Sequence, residues 1–353
     1  MTPRENLLRA IRKEQPESVP FFFSLCEELE DQFRQRTGRQ DYLSYYDIPI
    51  RYVSLRPSLH PADYSPYYPS LPSHTVIDEY GVAHVSHGFK HFSKMLHPME
   101  NFSTPEEVYQ FPLPDMLEDY RWEGLEEEVK KIHADGYAAI FTSIMVFEYT
   151  WYLRGMENLL CDMINDPEMA AACLNRMTRF QEKIAARVAA LGVDMIIFGD
   201  DVGMQSTLIM SKEQWRQWIK PTTRAVISAA KRVNPEVLCY YHSDGNIYDI
   251  IDELIEVGVD ILNPIQPECM DPVKVKQVYG DKLAFWGTIG TQTTMPFGTP
   301  EEVEKTVKRM IEQVGTGGGL VIAPTHLLEP EVPWENIEAL IGAVKKYGAY
   351  NNG

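Results

Sequence analysis

The sequence predicts a parallel α/β barrel of the (β/α)8 TIM type, in one domain over residues 1–353. Three observations point there. Short apolar runs alternate with segments of helical period, the order of repeated strand–helix units. The runs are apolar on both faces, as strands buried beneath helices must be. Ionisable or amide residues follow one run after another, and a parallel barrel puts its working groups at the C-terminal ends of its strands.

Taken in order, residues 2–14 read as a helix, with Thr2 as N-cap, Pro3 in the first position and Glu5 in the first turn. Val19-Pro-Phe-Phe-Phe-Ser24 is the first strand candidate. It is followed by Tyr137–Thr142, Asp194–Phe198, Val237–Tyr241, Val259–Leu262, Leu283–Trp286 and Leu320–Ala323. Helical periods fill the gaps, among them Pro167–Leu191, Ser211–Arg232, Ile247–Val257 and Pro300–Val314. An eighth strand is expected but not located. The stretch from about 41 to 135 is rich in Tyr, Pro, Ser and His and reads as an elaborated insertion after the first strand, bearing a hairpin and a helix from Pro105. Long connections of this kind usually serve as lids or binding edges.

Bulk properties narrow the function. A content of 44% hydrophobic and 24% charged residues suits a soluble enzyme. No apolar run approaches the ~20 residues that span a bilayer, and the polar N-terminus carries no secretory pattern. The scattered Cys26, Cys161, Cys173, Cys239 and Cys269 form no CxxC pair, which fits a reducing cytoplasm. A formal net charge of −18 argues against nucleic acid as partner and against a polycarboxylate substrate. No membrane partner is expected, and the reading admits a homodimer.

The strand ends carry the chemistry. Glu236-Val-Leu-Cys-Tyr-Tyr241 leads into His242-Ser-Asp-Gly245, and Gly319-Leu-Val-Ile-Ala323 into Pro324-Thr-His326. His242 and Asp244, two residues apart, share one face of an extended chain. With His326 they make a three-ligand set that leaves a catalytic metal one open position. Gly199-Asp-Asp-Val-Gly203 aims Asp200 and Asp201 at the mouth as ligand, base or substrate anchor. Glu148, among apolar neighbours, is either a functional acid of raised pKa or the partner of Arg154. Asn263, Gln266 and Thr288 are candidate substrate contacts, joined by Phe147 from the aromatic stripe at 141–152 and by Tyr241. His84, His87 and His91 have a helical metal-face spacing, but the alternation through Gly81-Val-Ala-His-Val-Ser-His87 favours strand histidines at the solvent or substrate edge.

Several stretches together resemble the uroporphyrinogen decarboxylase superfamily over nearly the full length. They are Asp78-Glu-Tyr-Gly81, Leu153-Arg-Gly-Met-Glu-Asn158, Gly199-Asp-Asp-Val-Gly-Met-Gln205, His242-Ser-Asp-Gly-Asn246, Gly258-Val-Asp-Ile-Leu-Asn-Pro264, Phe285-Trp-Gly287, and Ala323-Pro-Thr-His326 through Pro333-Trp-Glu-Asn336. The resemblance implies an α/β barrel. Decarboxylases of the family carry an arginine-bearing Met-Arg-Gln-Ala-Gly-Arg segment after the first strand. This chain has Phe21-Phe-Phe-Ser-Leu-Cys-Glu-Glu28 instead, with no arginine and two acids.

The chain resembles the corrinoid-dependent methyltransferase branch better. The zinc ligands of that branch follow a His-x-Cys-Gly pattern and a Cys after Ala-Pro-Gly. Here Asp244 and His326 stand in the two cysteine places, keeping ligand capability with harder donors. The resemblance implies zinc or another divalent metal at His242, Asp244 and His326, and a small methylated donor. A methoxylated aromatic is favoured, with methylamine-type donors possible, and the acceptor is the Co(I) corrinoid of a partner protein. Glu148, Asp200 and Asp201 would protonate or position the leaving group. The alternative is a metal-free decarboxylase or lyase acting on a smaller substrate.

Overall fold

The computed structural model describes residues 1–86 and 93–350. Its centre is a curled parallel sheet of seven strands: β1 (Ile50–Val53), β5 (Ala138–Met145), β6 (Met195–Gly199), β7 (Leu238–His242), β8 (Ile261–Asn263), β9 (Ala284–Trp286) and β10 (Leu320–Val321). They lie side by side in that order, each parallel to the next. The remaining stave is the first predicted strand, which runs parallel beside β10. Phe22 N–H donates to the Ile322 carbonyl and Ile322 N–H to Pro20, both at 2.9 Å. Pro20 has no N–H to give, and here the ladder is reduced to single bridges. The architecture is that of a TIM-type barrel. Its wall is filled by Phe198, Tyr241, Ile261 and Phe285, all without exposed surface.

The eighth strand is β1, and it lies inside the stretch read as insertion. Four residues, with Arg51 half-buried and Tyr52 exposed, give none of the continuous apolar signal that marked the others. A short helix at Tyr42–Tyr45 precedes it. After it come the antiparallel strands β2 (Thr75–Ile77), β3 (Ala83–Ser86) and β4 (Ser93–Leu96), then the expected helix at Pro105–Gln110. The helix predicted over 2–14 runs from Pro3 to Ile11, closed by a Thr2/Glu5 capping box. It stops early because Lys13 takes φ 60°, outside helical space. The segment 211–232 is helical but passes through a π turn at Trp215–Ile219, ending two residues before Pro221, whose missing N–H breaks the normal ladder. Among the described residues, no helix is long and apolar enough to cross a membrane.

Candidate active site at the C-terminal ends of the strands

Strand register sets the site. Gly199 pairs with His242, and His242 with Asn263, so the ends of β6, β7 and β8 finish at one level. Beyond β7 the chain stays extended for two residues. Ser243 turns inward, fully buried, its Oγ accepting from Val202 N–H at 3.1 Å. His242 and Asp244 therefore emerge together, as their spacing predicted. The loop after β6 then crosses the loop after β7 so closely that neither Gly203 nor Gly245 has room for a side chain. A Cβ on Gly203 would stand 2.3 Å from the Asp244 carbonyl oxygen. This crossing brings Asp201 to the same place. Its Oδ1 accepts from Asp244 N–H at 2.8 Å and lies 3.8 Å from His242 Nε2.

Asp201, His242 and Asp244 can each offer one donor atom, all within 4.8 Å of one another. Asp244 Oδ1 is buried with no hydrogen-bond partner among the described residues. The chemistry of His242 is fixed from behind. Asn263 Nδ2 donates to the Trp286 carbonyl at 2.7 Å, so its Oδ1 faces His242 Nδ1, also at 2.7 Å. That oxygen can only accept, so Nδ1 carries a proton, and whenever the ring is neutral its bare nitrogen is Nε2, on the side of the two carboxylates. A bare imidazole nitrogen, an orphaned carboxylate oxygen and a second carboxylate beside them form a donor set that fits a divalent cation. With no cation considered, burial alone would lower the His242 pKa, but Asp201, Asp244 and the Asn263 bond outweigh it and raise it. Asp244 is raised, first by burial, against the opposing pull of His242.

Two further acids stand behind this group. Glu148, buried at the start of the Phe147–Arg154 helix, receives Tyr152 O–H at 3.0 Å and Asp201 N–H at 3.3 Å. Arg154 is not its partner. That arginine pairs with Asp162 at 2.8 Å and binds the carbonyls of Met99, Glu100 and Phe102. Burial, then Asp201, raises the Glu148 pKa. Asp200 is 1% exposed, accepts Glu148 N–H at 2.9 Å, and is pushed well up by burial and then by Glu148.

The other predicted residues are placed as follows. His326 is exposed in the turn after β10. It stands outside the close three-residue group, although its charge bears on Asp244. Gln266 is buried and receives Gly245 N–H at 2.7 Å, holding the loop after β7 in place. Asn263 supports His242, a role that the sequence reading assigned to substrate contact. The signal was available: Asn263 ends the strand next to the one His242 ends. Phe147, Tyr241 and Thr288 have no exposed surface. Among the insertion histidines, His84 bonds Asp78 at 3.0 Å and Ser93 at 3.1 Å from strand β3. His87 and His91 lie outside the described residues.

The family model for uroporphyrinogen decarboxylase matches residues 105–347. The chain belongs to that family. A methylated-thiol–coenzyme M methyltransferase of Methanosarcina mazei is 26% identical over 258 residues, 69% of this chain and 63% of that protein. A methylcobamide:CoM methyltransferase MtaA of Methanosarcina barkeri is 27% identical over 45% of this chain and 43% of its own length. A uroporphyrinogen decarboxylase of Citrifermentans bemidjiense is 24% identical over 52% of this chain and 51% of its own. The matches to these curated relatives thus span from less than half to under two thirds of the relatives' lengths. In structure, a methyltransferase from Methanosarcina mazei superposes with TM-score 0.70 at 17% identity, covering 98% of this chain and 99% of that one, which establishes the shared fold.

The acids of this family member make its stability pH-dependent in a definite sense. Asp200 and Glu148 hold protons more tightly folded than unfolded, so the folded state binds more protons above the ordinary carboxylate range. Their stabilising contribution is full below about pH 4 and is lost as pH rises from there towards their raised folded values. Asp200→Asn removes one of these titrations while keeping an oxygen for Glu148 N–H. We expect thermal unfolding in the presence of a chelator to show a flatter fall in Tm between about pH 5 and 8 for Asp200→Asn than for wild type. Identical pH slopes would refute the assignment.

Proposed function

We propose that this protein moves a methyl group from a small methylated donor to the Co(I) corrinoid of a partner protein. The donor class is a methoxylated aromatic, with methylamine-type donors as the next to screen. The reading rests on one observation above the others: a bare His242 Nε2 and an orphaned Asp244 oxygen converge beside Asp201 at a barrel mouth. Relatives named as methyltransferases support it.

His242 and Asp244 would hold a divalent cation, zinc in the first instance. Asp201 is the third donor in the arrangement described, and His326, whose charge bears on Asp244, would join them as a further ligand. When bound, such a cation supplies Lewis-acid polarisation of the heteroatom that carries the methyl group. The remaining work falls to the chain. Asn263 keeps the His242 ring in one tautomer and orientation. Glu148, whose pKa burial raises, would give its proton to the departing oxygen or nitrogen as the methyl group leaves. Tyr152 steadies that carboxyl group. Asp244 and His326, harder donors than thiolates, suit an oxygen or nitrogen donor better than a thiol. The exposed mouth is where a corrinoid protein would dock.

The test is metal content by elemental analysis, followed by methyl transfer from methoxylated aromatics to a reduced corrinoid protein. About one zinc per chain, with transfer that depends on it, is the expected result. Protein that neither retains nor takes up a divalent cation would overturn the reading and favour metal-free decarboxylation.

A further inference from the structure

A cavity of about 530 Å3 lies between the chain leaving β1, the Asp78-Glu-Tyr-Gly81 turn and the long helix Pro167–Ala190. That helix packs against β5 and β6, and none of Asp201, His242 and Asp244 lines this space. Two of its lining side chains, Arg121 and Gln181, are each only 1% exposed. Both are incompletely satisfied among the described residues. Arg121 gives Nη2 to both oxygens of Glu79, at 3.1 and 2.9 Å, yet its Nε and Nη1 have no acceptor. Gln181 Oε1 has no donor. Buried polar groups in folded proteins are nearly always paired, so a donor and an acceptor left open at one cavity call for an occupant.

The lining defines what that occupant is. It must accept from a guanidinium and donate to an amide oxygen, which a single hydroxyl group does. Its body must suit an apolar and aromatic wall that includes Phe141, Ile184 and the rings of Tyr80 and Tyr149, stacked at 4.5 Å. It is not an anion, because Glu79 already neutralises Arg121 and Asp78 adds a further negative charge to the lining. We propose that this cavity is a binding site for a small, neutral, hydroxylated aromatic molecule, with its hydroxyl between Arg121 and Gln181. Tyr149 separates the occupant from the catalytic acids: its ring meets Tyr152 edge-on at 5.8 Å, and Tyr152 bonds Glu148.

The experiment is calorimetric titration of the full chain with phenol, with benzoate and toluene as comparison ligands. Saturable phenol binding with a Kd of about 0.1–10 mM is expected, the range open to so small a ligand. Benzoate and toluene should each bind at least about tenfold more weakly, one for its charge and one for its missing hydroxyl. Arg121→Met and Gln181→Leu should each weaken phenol by about tenfold. Ser54→Trp, at an exposed position on the rim, narrows the entrance without touching the buried pair and should also reduce binding. His242→Ala should leave it unchanged. Absence of saturable phenol binding, or benzoate binding as tightly as phenol, overturns the proposal. So does phenol binding lost in His242→Ala but kept in Arg121→Met, which would put the aromatic in the barrel mouth and leave the proposed reaction standing.

Discussion

Gly203→Ala is expected to lower Tm by about 5–10 °C and to weaken divalent-cation binding at the same time. The added Cβ would sit 2.3 Å from the Asp244 carbonyl oxygen and 2.9 Å from both Asn246 N and the Gly245 carbonyl carbon. All three are backbone atoms, so no side chain can rotate away. The loops after β6 and β7 must separate, and the cost is of the order of other overpacking changes, roughly 3 kcal/mol or more. Those loops carry Asp201 and Asp244, whose contact is the bond from the Asp244 backbone N–H to the Asp201 side-chain Oδ1. Separation therefore dismantles the donor group as it destabilises the fold. Gly342→Ala serves as the control. Gly342 lies inside the Trp334–Tyr347 helix with nothing within 4 Å of an added Cβ, and the change should stabilise by about 0.5–1 kcal/mol. Thermal melts with isothermal zinc titration check both. An unchanged Tm and zinc affinity in Gly203→Ala would mean that the two loops do not cross as described.

What the sequence made legible follows from how each feature is encoded. Strands β5 to β10 carried their signal within themselves, as apolar runs bounded by polar residues. Their ends, and with them His242 and Asp201, could be placed without tertiary information. The spacing of two between His242 and Asp244 was enough to put them on one face. Strand β1 is also part of the barrel, but the half-buried Arg51 and exposed Tyr52 interrupt its apolar pattern. The proximity of Asp201 to Asp244 was hidden for a different reason. It depends on two glycines in different loops touching backbone to backbone, and no local pattern encodes that contact. Glu148 looked equally suited to pairing with Arg154. The choice was decided by Asp162 and by a ring of carbonyls that only the folded chain assembles around the guanidinium.

His242→Ala should abolish stoichiometric zinc and lower methyl transfer by about 10^3-fold or more, because it removes the one nitrogen donor of the close group and the anchor of its geometry. The loss should exceed that in Asp201→Asn, since Asp201 is 43% exposed at its side chain and keeps an oxygen after substitution. Asn263→Leu should fall between these variants and wild type. It leaves every donor atom in place but removes the acceptor from His242 Nδ1–H, so the ring is free to rotate and change tautomer. Loss of such a partner typically costs about 10–100-fold in metal affinity. Asn263→Asp retains an acceptor at the same position and should recover most of that affinity, which a merely structural role for Asn263 would not predict. Competition titrations with a zinc chelator give the order: wild type, Asn263→Asp, Asn263→Leu, then His242→Ala. If Asn263→Leu binds zinc as tightly as wild type, the orienting bond contributes nothing. If His242→Ala retains one zinc per chain, the cation is held elsewhere and the site at the barrel mouth is misassigned.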